Sequence, residues 1–196
     1  TSEKEVEGNM VSNALVPGSI GAIAQRDGLS IAESFLSADV IVLVDTSSSM
    51  SAHDSRGGQQ RYNVAVDELA KLQASLPGKI AVVAFASNVQ FVPGGQPPFL
   101  HGSTDLAAAL RFVQVADGCV RFIVISDGYP DEPERALALA SQFRSQIDVV
   151  YVGPESDRIG REFLEMLARA AGGRYVVADR AAELAERVQT LMLGAG

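Results

Sequence analysis

Ala38-Asp39-Val40-Ile41-Val42-Leu43-Val44-Asp45-Thr46-Ser47-Ser48-Ser49 carries an aliphatic run straight into one carboxylate and a row of hydroxyls. Five consecutive Val, Ile and Leu residues, with no polar alternation, mark a strand covered on both faces, as in a parallel sheet. The polar residues fall where that strand gives way to a loop. In open α/β sheets the crevice outside the strands' carboxyl ends is where ligands bind.

The same rhythm repeats downstream. Strand candidates are 40–44, 79–86, 89–92, 120–126, 147–152 and 174–178, each rich in Val, Ile or aromatic residues. Segments with helical periodicity alternate with them. Val66, Leu69, Leu72 and Leu76 form one face, stopped by Pro77-Gly78, and Leu106, Leu110 and Val113 form another, with Thr104 as its expected N-cap. Leu137, Ala140 and Phe143 follow Pro133. Phe163, Leu164, Leu167 and Ala171 end at Gly172-Gly173, and Leu184, Val188 and Leu191 make a last helix. This alternation predicts an α/β fold, a doubly wound, mostly parallel six-stranded sheet with helices on both faces. Val89–Val92 is short and follows Ser87-Asn88, so it is expected to run antiparallel at a sheet edge. Residues 1–37 are read as an N-terminal extension ahead of a domain spanning 38–193. Within the extension, Thr1–Asn9 is acidic and has the composition of a mobile terminus, Met10 is an alternative natural start, and Ser30 opens a short helix over 29–36.

Three loops then converge by topology. Asp45 ends one strand, Asp127 in Ser126-Asp127-Gly128 ends another, and Thr104 in Gly102-Ser103-Thr104-Asp105 opens the helix before it. If the two strands are neighbours where the strand order reverses, their loops share one crevice. Asp45, Ser47 and Ser49 alternate, so an extended stretch projects all three to one side. Carboxylates and hydroxyls, with no thiol or imidazole, suit a small hard cation such as Mg²⁺. Two serines and a threonine bring neutral oxygens, and only Asp45 and Asp127 bring charge. If either aspartate acts through water, an ion so held keeps positive character and an open position that attracts a carboxylate from outside.

Asp45-x-Ser47-x-Ser49, Thr104 and Asp127 resemble the metal-ion-dependent adhesion site of von Willebrand factor type A (VWA) domains, with all five positions in order. The resemblance covers about 38–193 and leaves 1–37 outside it. It implies a Rossmann-like VWA fold in which Ser47, Ser49 and Thr104 coordinate Mg²⁺ or Mn²⁺. Asp45 and Asp127 would bind directly or through water, and an Asp or Glu side chain of a protein partner would complete the shell. It also implies a non-enzymatic, Mg²⁺-dependent protein–protein interaction module. Gly102-Ser103 departs from the Gly-Gly common before the threonine.

Simpler roles stand beside these. Asp105, Asp131 and Glu132 are read as helix-mouth residues rather than ligands, and His53 and His101 as solvated loop histidines at the crevice rim. Ser48, Ser55, Arg56 and Tyr129 are candidates for the rim itself. The single cysteine, Cys119, precedes an apolar run and is expected to be a buried or half-buried small side chain, with no disulfide framework in prospect.

The 196 residues carry 16 basic and 24 acidic side chains, 16 − 24 = −8, which disfavours nucleic-acid and acidic-lipid surfaces. No apolar run approaches the roughly 20 residues of a membrane span. The acidic chain with one unpaired cysteine points to a cytoplasmic, prokaryotic setting. A Mg²⁺-dependent phosphoryl-transfer or phosphohydrolase enzyme using Asp45 is the alternative, because aspartyl-phosphate chemistry uses strand-terminal aspartates beside Mg²⁺. It lacks the second acid of an Asp-x-Asp motif (Ser47 stands there) and any Gly-x-x-x-x-Gly-Lys phosphate cradle. A structural subunit with a stabilising metal is a further alternative.

Overall fold

A computed structural model describes residues 15–178 and residue 186. Six strands, β1 (Val40–Asp45), β2 (Ile80–Phe85), β3 (Val89–Phe91), β4 (Arg121–Ser126), β5 (Ile147–Tyr151) and β6 (Tyr175–Val177), form one sheet in the order β3-β2-β1-β4-β5-β6. All neighbours are parallel except β3, which pairs antiparallel with β2 through Phe85↔Val89 and Val83↔Phe91. The expected α/β sheet and its antiparallel edge strand are therefore present. The tight reversal closes with the Ala86 N–H donating to Asn88 O.

The strand order reverses at β1, which lies between β2 and β4. Val40 sits beside Ile80 on one side and Arg121 on the other, and this register continues to Val44 beside Ala84 and Ile125. Every β1 residue is buried. Val40, Val42 and Val44 pack with Val64, Ala65, Leu69 and Leu72 of α3 (Arg61–Ser75). Ile41 and Leu43 face the second core, built with Leu106 and Leu110 of α4 (Leu106–Val113), Ala136 of α5 (Pro133–Ala140), and Leu164 and Leu167 of α6 (Arg158–Ala170). The alternation of side chains across a strand thus feeds two helical layers. Val66, expected on the inner face of α3, is only half-buried, and that face instead carries Arg61, Glu68 and Gln73 among its apolar residues.

Ahead of β1 lie α1 (Ile20–Asp27) and α2 (Ile31–Leu36). The second is the short helix expected after Ser30, with a reciprocal capping box between Ser30 and Glu33. Phe35 packs on the core while Ile31 is exposed. The first went unread in the mixed segment before it, although Ser19 caps its start and Gly28 its end. Ile20 is buried in the core, the Val16 and Gly21 N–H groups donate to Gly94 O and Pro93 O, and the Gly78 N–H donates to Gly18 O. The helix read from Leu184, Val188 and Leu191, and the terminus Thr1–Asn9, lie outside the described residues.

Candidate metal centre

The crevice at the C-terminal ends of β1 and β4 gathers the predicted residues. Asp45 closes β1, Asp127 directly follows β4, and both are fully buried. Ser47 is buried, Ser49 half-buried, and their hydroxyl oxygens lie 3.2 Å apart. Asp45 is clamped at both oxygens: the Ser47 N–H donates to Oδ1 at 2.9 Å and the Ser126 hydroxyl to Oδ2 at 2.7 Å. The second bond joins residues 81 positions apart across the β1–β4 pair.

Thr104 reaches the crevice on a loop stitched to the serine segment. The His101 N–H donates to Thr46 O, the Ser48 N–H to Gly102 O, and the Gly102 N–H to Ser48 Oγ at 2.8 Å. Thr104 itself is buried, and its N–H donates to Asp131 Oδ1 at 3.0 Å while the Asp131 N–H returns to Thr104 O. Asp131 is therefore a support for the threonine loop, a role that its position near the next helix did not suggest.

Asp105, not Thr104, is the N-cap of α4, accepting from the Ala108 N–H at 2.8 Å. A carboxylate at Ncap satisfies an otherwise orphaned donor and suits the positive end of the helix. The threonine hydroxyl is thereby left out of the cap. Ser55, expected at the rim, is buried and donates to Val152 O. Ser48 and Tyr129 are exposed, and Arg56 reaches back to the buried Glu68 at 3.1 Å. His101 is exposed at positive φ (59°), with its ring 4.2 Å from that of Phe99, and His53 is exposed. Cys119 is exposed rather than buried, because the chain is still in the turn before β4, where the Cys119 N–H bonds Ala116 O.

Arg61 is the neighbour of Asp127 that the sequence reading missed. It opens α3, is almost wholly buried, and donates from Nη1 to Asp127 Oδ2 at 2.8 Å. Its Nε and Nη2 form a fork on both oxygens of Asp54, at 2.7 and 2.8 Å. The available signal was electrostatic: an arginine in the first turn opposes the helix dipole and needs a reason to be there.

Asp127 Oδ1 has no hydrogen-bond partner although it is buried, a costly state for a carboxylate oxygen. Burial, and secondarily the charge of Asp127, push the Asp45 carboxyl up to about 7. Two buried carboxyl groups, an orphaned oxygen and a pair of adjacent hydroxyls fit a small divalent cation bound by oxygen. Among the described residues no three His, Cys, Asp or Glu side chains gather as a metal cluster, in this crevice or elsewhere, so a cation here would rest on two carboxylates and hydroxyls.

Sheet order, antiparallel edge and crevice together define the fold as that of VWA domains. No family model matches the chain, and no curated protein matches it in sequence. Solved structures do. An aerotolerance-related membrane protein from Bacteroides fragilis, crystallised with multiple mutations to serines, aligns at 16% identity and TM-score 0.60, covering 78% of this chain and 97% of its own. The vWF domain of the type V pili tip protein Mfa5 from Porphyromonas gingivalis aligns at 11% identity and TM-score 0.58, covering 80% and 95%. Manganese-loaded TRAP protein from Plasmodium vivax aligns at 19% identity and TM-score 0.55, covering 78% and 73%. At such identities the likeness is one of fold. No helix among the described residues is long and apolar enough to cross a membrane.

Proposed function

We propose that this chain is a non-enzymatic, Mg²⁺-dependent protein-binding module. Asp45, Ser47, Ser49, Thr104 and Asp127 hold Mg²⁺ or Mn²⁺, and an Asp or Glu side chain of a protein partner takes the open position. The observation that carries this reading is the buried, unpartnered Asp127 Oδ1 beside a clamped Asp45. Only two charged ligands contribute, so a bound dication is not over-neutralised and remains attractive to an incoming carboxylate. The manganese-loaded TRAP structure shows that this fold accommodates a divalent ion in another protein.

Asp45 is poorly suited to phosphoryl transfer. Both its oxygens already accept hydrogen bonds, which lowers their nucleophilicity and holds the carboxylate in place. Orienting metal-bound water or a metal-bound hydroxyl is the work such a clamped group does well.

The test is calorimetric titration of the chain with Mn²⁺ and with Mg²⁺, alongside thermal melts. A single bound ion is expected, with melting raised according to linkage, about 2.7 kcal/mol at 100 times the dissociation constant. Asp45→Ala and Thr104→Ala should keep the circular dichroism of the fold and lose the metal response. The Mn²⁺-loaded chain should bind acetate, read as loss of metal-bound water in proton relaxation. An absent metal response, or Mg²⁺-dependent turnover of a phosphate ester abolished by Asp45→Asn, would overturn the proposal.

A further inference from the structure

Arg61 has more to do than hold a helix in place. Its guanidinium is fixed from the solvent side by the two-point fork on Asp54, whose side chain is 45% exposed. That fork aims Nη1 inward at Asp127, whose side chain is wholly inaccessible. A purely structural buried ion pair satisfies the remaining oxygens of its carboxylate, because a bare one is costly. Here the pair is left open: Oδ2 is taken by Arg61 and Oδ1 has no partner. Asp45 has no such cation, and its two oxygens are bound by neutral donors. One of the two candidate charged ligands is thus shared with a resident cation, and the other is not.

The geometry points to Arg61 as a positioning residue of the metal centre, a built-in counter-cation that withholds Asp127 Oδ2 from the ion. Asp127 is left with a single oxygen for the ion or its water, and the ion keeps a deficit of negative charge that an external carboxylate fills. This assignment rests on the metal-site reading proposed for Asp45, Ser47, Ser49, Thr104 and Asp127.

Two effects of Arg61 oppose each other. As a cation within hydrogen-bond reach of Asp127 it repels the ion and competes for its ligand. As an orienting partner it helps hold Asp127 in place, and losing such partners commonly weakens metal binding by about 10–100-fold. The clamp-free Oδ1 decides between them. Asp127 follows directly on β4 and its backbone is already buried, so the side chain has little freedom to lose, and repulsion dominates.

The experiment compares wild type, Arg61→Met and Arg61→Lys in calorimetric Mn²⁺ titrations, with acetate binding to the Mn²⁺-loaded proteins read by proton relaxation. Arg61→Met is expected to bind Mn²⁺ about fivefold or more tightly and acetate correspondingly more weakly, since removing the guanidinium charge frees the whole charge of Asp127 for the ion. Arg61→Lys, which keeps the charge but loses the fork, should fall between the two. It also serves as the folded comparison if the methionine variant melts too low. Unchanged or weaker Mn²⁺ binding in both variants, with acetate binding unaltered, would overturn the assignment and leave the metal site intact. Failure of wild type itself to bind Mn²⁺ would overturn the site reading, and this assignment with it.

Discussion

At Asp45 the chemistry of the crevice is concentrated in one proton. Its folded-state pKa of about 7 lies above the ordinary value of 3.8, so between those limits the folded, metal-free chain holds a proton that the unfolded chain has released. Its stabilising contribution is complete below about pH 4 and is lost as pH rises through about 7. In chelator, the melting point should therefore fall across that window, and Asp45→Asn should flatten the fall. Under the proposed function Mg²⁺ acts in the opposite sense, because such an ion needs the ionised carboxylate, so its stabilising effect should grow with rising pH. A metal-free melting point that is level from about pH 5 to about pH 8 would contradict the buried environment beside Asp127 described for Asp45. Residue by residue, which side chains meet at the crevice was readable because strand-end spacing confines their direction. Arg61 was not, since its partners Asp54 and Asp127 are 7 and 66 positions away and no local periodicity connects them.

Elements meet at this crevice by close backbone contact. Gly128, at φ 87°, follows Asp127, and a Cβ there would run into the carbonyl of Gly160 in the first turn of α6. A Cβ on Gly160 would in turn strike the Asp127 carbonyl. The Tyr129 hydroxyl donates to Asp157 Oδ1 at 2.7 Å, and Asp157 caps α6 through the Ile159 and Gly160 N–H groups. The loop that carries Asp127 therefore rests on the start of a helix that contributes no ligand. Gly160→Ala should weaken Mn²⁺ binding although Gly160 is not a ligand, and calorimetry on the folded variant checks this. Undiminished binding would mean that the loop can yield without moving the carboxylate. Element types and order were legible from alternating apolar runs, down to the short antiparallel strand after Ser87-Asn88. What escaped was competition at helix starts, where Asp105 rather than Thr104 took the cap of α4 and so freed the threonine hydroxyl. Two neighbouring residues with good capping propensity cannot be ranked without knowing which one the loop already holds.

For the molecule as a whole, the segment before β1 bears on stability. Resemblance of motifs starts near Ala38, yet Ile20 is fully buried in the core and the Val16 and Gly21 N–H groups are bonded to the loop after β3. We therefore expect that a chain beginning at Ala38 is less stable. Burying one large aliphatic side chain is worth about 1.5–3 kcal/mol, and each kcal/mol moves the melting point of a domain this size by about 2–4 °C. The truncated chain should thus melt roughly 3–12 °C lower, and an unchanged melting point would show 38–196 to be self-sufficient. The sequence pattern could not show this, because the apolar residues of 16–36 are scattered over two short helices and carry no motif.

The position of β1 in the middle of the sheet also governs how the molecule is born. A chain emerging from the ribosome can pair β1 with β2 once residue 85 is out, but the other side of β1 stays bare until 121–126 appear. Throughout that interval a strand apolar from Val40 to Val44 offers unpaired backbone groups, the arrangement that invites wrong partners. The arrival of Ser126 closes that edge and in the same event places a hydroxyl on Asp45. Completion of the sheet and assembly of the crevice are thus one step, and a chain that misfolds around β1 is born without the crevice.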